Sequence, residues 1–140
     1  MPGADRPIIV DANILFSALL RSATRFARIL LYRNLPFCIC ESTLIELFRH
    51  KERIVRFSKL DDGEVITLLH ALLRRLKVER EELITESFRA EAVELCRGVD
   101  PGDVPFVALT LALDGLLWTG DQKLRNGLTA RGFTRFFDPE

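Results

Sequence analysis

The sequence predicts an α/β fold on a mainly parallel sheet, and three observations carry that expectation. The short runs Ile8-Ile9-Val10, Pro36-Phe37-Cys38-Ile39-Cys40 and Leu116-Leu117-Trp118-Thr119 are apolar almost throughout, which suits strands buried on both faces. Helical periodicity fills the stretches between them, so the elements begin in βαβα order. The chain has 140 residues, 48% hydrophobic and 29% charged, enough for one hydrophobic core and too apolar for a disordered tail. One domain over residues 1–140 is expected, with right-handed crossovers.

Taken in order, the first strand stops at Asp11, which places a carboxylate at its C-terminal end. After the apolar stretch 14–20, residues 24–34 set Phe26, Ile29 and Leu30 at helical spacing with Thr24 as N-cap, the first expected helix. Residues 36–40 form the second strand, and Ser42 is expected to cap a helix through Leu44, Ile45, Leu47 and Phe48. Residues 61–77 read as a helix, with Asp61, Asp62 and Glu64 at its start and Arg74, Arg75 and Lys77 at its end complementing the helix dipole. Residues 78–85 are a connection with room for one short strand.

Residues 87–97 make an amphipathic helix through Phe88, Ala92, Val93, Leu95 and Cys96, with Gly98 as its C-cap. The turn Asp100-Pro101-Gly102-Asp103 leads into a helix whose residues 106–113 are apolar on nearly every side and therefore buried. Gly120-Asp121 stops the third strand, residues 122–130 form a short polar helix, and Arg135-Phe136-Phe137 is an expected edge strand.

Charge and cysteine usage narrow the function classes. Twenty Lys and Arg balance twenty Asp and Glu, which argues against holding nucleic acid by bulk positive charge. The balance is uneven along the chain: residues 1–60 carry ten basic and five acidic side chains (net +5), residues 61–140 ten basic and fifteen acidic (net −5). No apolar run reaches the roughly 18 residues of a membrane span. The N-terminus lacks the features of a signal peptide, so the cytoplasm is the expected compartment. Cys38, Cys40 and Cys96 read as reduced core thiols, since one residue between Cys38 and Cys40 is too few for a usual zinc pair.

In open α/β folds the site lies outside the C-terminal ends of the strands. Four acidic residues qualify there: Asp11 after the first strand, Glu46 in the helix after the second, Asp103 opening the buried helix, and Asp121 after the third strand. Converging carboxylates repel one another and tolerate clustering with a cation, and all-oxygen ligands select Mg²⁺ or Mn²⁺ over Zn²⁺. That is the chemistry of metal-assisted phosphodiester hydrolysis. Plainer roles stand beside this one. Asp103 and Asp121 are also good N-caps, and a helical wheel sets Glu46 opposite its apolar neighbours, solvated and paired with Arg49 or His50.

The segment Ile9-Val10-Asp11-Ala12-Asn13-Ile14-Leu15-Phe16-Ser17-Ala18 resembles the opening of a PIN domain. Ser42-Thr43-Leu44-Ile45-Glu46-Leu47, Asp103-Val104-Pro105-Phe106-Val107-Ala108-Leu109 and Thr119-Gly120-Asp121 are similar to the family's later acidic blocks, and all four occur in order. The resemblance implies a three-layer αβα sandwich and a Mg²⁺- or Mn²⁺-dependent ribonuclease with Asp11, Glu46, Asp103 and Asp121 as its metal site. It also implies supporting roles for Asn13 and Thr119. Asp100 is a rival to Asp103, although it also suits the first position of the turn before Pro101-Gly102. By the same analogy the chain is the toxin of a toxin-antitoxin pair, with an antitoxin protein as partner, an RNA substrate and a homodimeric state.

Arg21, Arg25, Arg28, Arg49, Lys51, Arg53 and Arg56 are candidates for phosphate contacts around the cleft, or else a solvated basic face. His50 and His70 belong to no catalytic pattern. The competing readings are a catalytically silent binding or assembly module of the same fold, and an aspartyl-phosphate phosphotransfer domain. The latter fits poorly because Asn13 stands where a phosphatase of that kind needs Asp.

Overall fold

The computed structural model describes residues 6–20, 25–58 and 60–139. Strands β1 (Ile8–Val10), β2 (Phe37–Cys40), β3 (Leu76–Glu79) and β4 (Leu116–Trp118) form one sheet in the order β3-β2-β1-β4, with every pairing parallel. Among the described residues the α-helices are α1 (Ala12–Leu20), α2 (Arg25–Tyr32), α3 (Glu41–Arg49), α4 (Lys51–Ser58), α5 (Asp62–Leu73), α6 (Glu86–Leu95), α7 (Val104–Ala112) and α8 (Gln122–Ala130). The expected α/β class and parallel sheet are what the chain forms.

Side-chain alternation along the strands divides the core into two layers. Ile8, Val10, Phe37, Ile39 and Trp118 face a cluster completed by α1, α2, α5 and the buried Leu47 of α3 and Ile54 of α4. Ile9 and Leu117 face the opposite cluster, built by α6, α7 and α8. Both faces are covered, which makes this a three-layer αβα sandwich and explains why the central strands are continuously apolar. At Gly115, before β4, an added Cβ would stand 2.5 Å from the Pro7 carbonyl oxygen, so only glycine lets β4 enter beside β1.

Several local expectations are corrected. The stretch 14–20 belongs to α1, which begins directly after Asp11; with almost every residue apolar, it shows no periodicity to read. Thr24 lies outside the described residues. α3 starts at Glu41 with Cys40 in the cap position, so Ser42 is not its N-cap. α4 was not expected at all, because it buries only Ile54 and Ser58 on a charged surface.

The expected helix over 61–77 ends at Leu73, and 76–79 is strand β3. At the sheet edge this strand pairs with β2 alone and leaves Lys77 and Val78 exposed, a pattern that reads as a polar helix end. Asp61 and Glu64 do form the reciprocal capping box of α5. α6 is capped by Cys96, and Gly98 turns the chain two residues later at φ +87°, which favours glycine. The edge strand at 135–137 reduces to one parallel bridge between Leu117 and Phe136.

Candidate active site

The strand order locates the site. From β1 the chain crosses to β2 on one side, whereas β4 lies on the other side of β1, so the crossovers diverge between β1 and β4. Ligands of open α/β sheets bind outside the carboxyl ends of the strands at such a switch point. Asp11 follows β1 there, and Thr119 and Asp121 follow β4.

Asp11 is 1% exposed and tightly held. Its Oδ1 accepts from the Asn13 amide at 3.2 Å and its Oδ2 from Thr119 Oγ1 at 2.7 Å, while its own amide donates to the Trp118 carbonyl at 3.0 Å. Burial pushes the Asp11 carboxyl above its ordinary range; the bonds from Thr119 and Asn13 oppose that rise, and the charge of Asp121 adds to it. Both supporting residues therefore act on Asp11, Thr119 through its hydroxyl and Asn13 through its backbone.

Asp121 is both cap and neighbour. Its Oδ1 accepts from the Lys123 and Leu124 amides at 3.0 and 3.2 Å, capping α8, and its own amide donates to Thr119 Oγ1 at 3.0 Å. The N-cap expectation holds for this residue without removing it from the acidic group.

Asp103 precedes α7 but makes no side-chain cap bond. It is 9% exposed, and its carboxyl is pushed up to about 7, first by burial and then by the charges of Asp11, Asp100, Asp121 and Glu46. Each of the charges that raise it is another carboxylate. The Cys40 thiol donates to the Pro105 carbonyl at 3.5 Å, which ties the start of α7 to the end of β2. Asp100 is exposed, and its Oδ1 accepts from the Gly102 amide at 2.9 Å, the turn role its spacing suggests.

Glu46 departs from the helical-wheel expectation. α3 buries Thr43 and Leu47, whereas Ile45 and Phe48 are 55% and 60% exposed, so the true core face is turned away from the one the wheel assumed. Glu46 is half-buried and pairs with neither Arg49 nor His50 among the described residues. Its charge reaches Asp103.

Four separate elements thus bring Asp11, Glu46, Asp103 and Asp121 within electrostatic reach. The donor set is all oxygen and, among the described residues, forms no ion pair with a base, which fits a hard divalent cation. Among the described residues no three His, Cys, Asp or Glu side chains stand close enough to enclose an ion as they are placed. Cys38, Cys40 and Cys96 are buried free thiols, pushed by burial to about 11, 12 and 11, and so stay protonated.

Two clefts flank this centre, and Asn13 lines both. One of about 280 Å³ includes Ser17, Phe26, Gly120 and Asp121; the other, of about 310 Å³, includes Phe16, His50, Arg53 and Phe57. Among the described residues the basic side chains do not form one ring. Arg53 faces the second cleft, Arg49, Lys51 and Arg56 line a separate groove beside Asp62, and Arg25 donates to the Pro139 carbonyl. Arg21 lies outside the described residues. Phe16 and Phe57 went unassigned in the sequence, although His50, Arg53 and Phe57 recur at three- and four-residue steps that stack on one helical face.

A family model described as the PIN domain matches residues 9–136, from the second residue of β1 to the last bridge, and includes all four acidic blocks. No curated protein matches the chain. PIN domains are usually nucleases and typically use divalent metal ions. With its parallel sheet, its acidic residues at the strand ends and a match over most of its length, this chain belongs to the PIN-domain family.

Proposed function

We propose that residues 1–140 act as one metal-dependent endoribonuclease domain that hydrolyses phosphodiester bonds of single-stranded RNA. The observation that carries this reading is the surrounding of Asp103, a buried carboxyl raised to about 7 by burial and by four other carboxylates. Such repulsion is a stability cost that a structural role does not require and that a bound cation relieves.

Asp11, Glu46, Asp103 and Asp121 would hold Mg²⁺ or Mn²⁺, which when bound neutralises charge on the scissile phosphate and acidifies water. The chain's own contribution is orientation. Thr119 and the Asn13 amide hold both oxygens of Asp11, the first turn of α8 holds one oxygen of Asp121, and Asp103 would have to be deprotonated to serve as a ligand. The toxin role, with an antitoxin partner and a homodimeric state, is part of this reading and rests on the family resemblance. Growth arrest on expression, relieved in Asp11→Asn, is its expected sign.

The test is incubation of purified protein with mixed RNAs, with and without EDTA, beside Asp11→Asn. Cleavage that needs the metal and Asp11 supports the reading, and undiminished cleavage in EDTA overturns it. A second reading, a silent binding module, is favoured by the absence of a ready three-ligand cage among the described residues. Calorimetric titration with Mn²⁺ separates the two, because a pure assembly module has no reason to hold the ion.

A further inference from the structure

Beside the acidic centre, α1, α4 and His50 at the junction of α3 and α4 line the cleft of about 310 Å³. It adjoins the centre twice. Asn13, whose amide holds Asp11, stands in its wall, and so does His50, whose amide donates to the Glu46 carbonyl one turn after that residue. Ile54 is a buried apolar wall, and Phe16 meets the His50 ring edge-on with centroids 5.9 Å apart. Phe57 is 61% exposed, and the exposed Arg53 forms no ion pair among the described residues.

This composition has a chemical meaning. Exposed aromatic rings beside a free guanidinium hold single-stranded nucleic acid, because every base has a face to stack and every nucleotide a phosphate to pair. The volume lies at the small end of ligand pockets, roughly 300–1,000 Å³, and suits one base. Charge favours RNA over an apolar protein partner: residues 46–56 carry exposed Arg49, Lys51, Arg53 and Arg56 against only Glu46 and Glu52.

We propose that this cleft is a nucleobase site for single-stranded RNA, in which Phe57 and His50 contact the base of one nucleotide and Arg53 its phosphate. That this nucleotide flanks the scissile bond rests on the nuclease reading; the binding itself does not. Stacking at Phe57 is indifferent to base identity, so the site contributes affinity and register more than sequence choice.

The experiment is fluorescence anisotropy in EDTA with a fluorescein-labelled mixed-sequence RNA of about 12 nucleotides, compared with an abasic ribose-phosphate strand of equal length. Phe57→Ala and Phe57→Leu are expected to weaken RNA binding at least about fivefold and to leave the abasic strand unaffected. Arg53→Gln weakens both strands and lowers the salt slope by about 0.7. Wild-type affinity in the Phe57 and Arg53 variants, no RNA binding by the wild type, or a Phe57 effect on oligomeric state alone by light scattering would each overturn the proposal. Cleavage with unchanged variant affinities removes the base site and keeps the nuclease. Reduced affinities without any cleavage keep the base site and remove the nuclease.

Discussion

Thr119 Oγ1 donates a 2.7 Å hydrogen bond to Asp11 Oδ2 and accepts a 3.0 Å bond from the Asp121 amide, so one hydroxyl joins the ends of β1 and β4. Its single proton is committed to Asp11 and a lone pair to the backbone of Asp121, which sets the direction of both bonds. Thr119→Val leaves Asp11 Oδ2 buried without this donor, at a cost of about 1–3 kcal/mol in urea unfolding at neutral pH. It also raises the Asp11 carboxyl further and weakens Mn²⁺ binding. Thr119→Ser restores both, and a Val variant equal to wild type in stability and affinity would remove Thr119 from the site.

Asp11→Asn keeps the size and planar shape of the side chain but removes the charge and leaves one acceptor oxygen where Asp11 uses two, for the Asn13 amide and Thr119 Oγ1. Metal-dependent RNA hydrolysis is expected to fall at least about a hundredfold, the loss of several kcal/mol of transition-state stabilisation. Initial rates on a labelled RNA in Mn²⁺ measure it, and a loss under tenfold would place the essential charge elsewhere.

Asp103 and Asp100 separate cleanly. Asp103 is buried and makes no cap bond, whereas Asp100 is exposed and closes its own turn onto Gly102. Asp103→Asn is therefore expected to weaken Mn²⁺ binding far more than Asp100→Asn. Calorimetry giving equal losses, or the reverse order, would transfer the ligand role to Asp100.

The raised carboxyl of Asp103 gives a pH signature of definite sign. Between its ordinary value of 3.8 and about 7 the unfolded chain has released this proton while the folded chain retains it. Metal-free stability from this group is thus complete below about pH 4 and is lost as pH rises towards 7. Mn²⁺ must displace that proton, so affinity should climb with pH up to about 7 and then level off. Asp103→Asn should flatten the stability profile in EDTA, and an unchanged slope would show that Asp103 titrates normally.

Asp121 is a cap whose charge also burdens Asp11 and Asp103. Because Asn caps about as well as Asp, Asp121→Asn should melt at or above wild type in EDTA and lose most of the rise that Mn²⁺ induces. Asp121→Ala removes the cap as well and should lose about 1 kcal/mol relative to Asn. For wild type, Mn²⁺ at about a hundred times its dissociation constant should add roughly 2.7 kcal/mol, a few degrees in Tm. Wild type and Asp121→Asn melting alike with and without Mn²⁺, with Asp121→Ala lower in both, would leave Asp121 a cap only.

The sequence by itself determined the class of fold and the residues worth inspecting. Three of the four strands are apolar on both faces because both faces are covered, and that signal is local. Asp11, Asp103 and Asp121 were legible because each sits at an element boundary, where packing does not demand a carboxylate. β3 was not legible, since an edge strand with one neighbour carries exposed Lys77 and Val78 and loses the apolar run. α1 and α4 failed in opposite ways, one nearly all apolar and the other mostly charged, so neither showed a period. Only the tertiary structure decided the rest. Which face of α3 is buried depends on what packs against it, and that rotation took Glu46 out of its solvated position. The repulsion on Asp103 arises from residues as distant in sequence as Asp11 and Asp121, which meet because the strand order places β4 beside β1. Hydrophobic periodicity records how each element meets the core, whereas the convergence of charges depends on how the elements are ordered around one another.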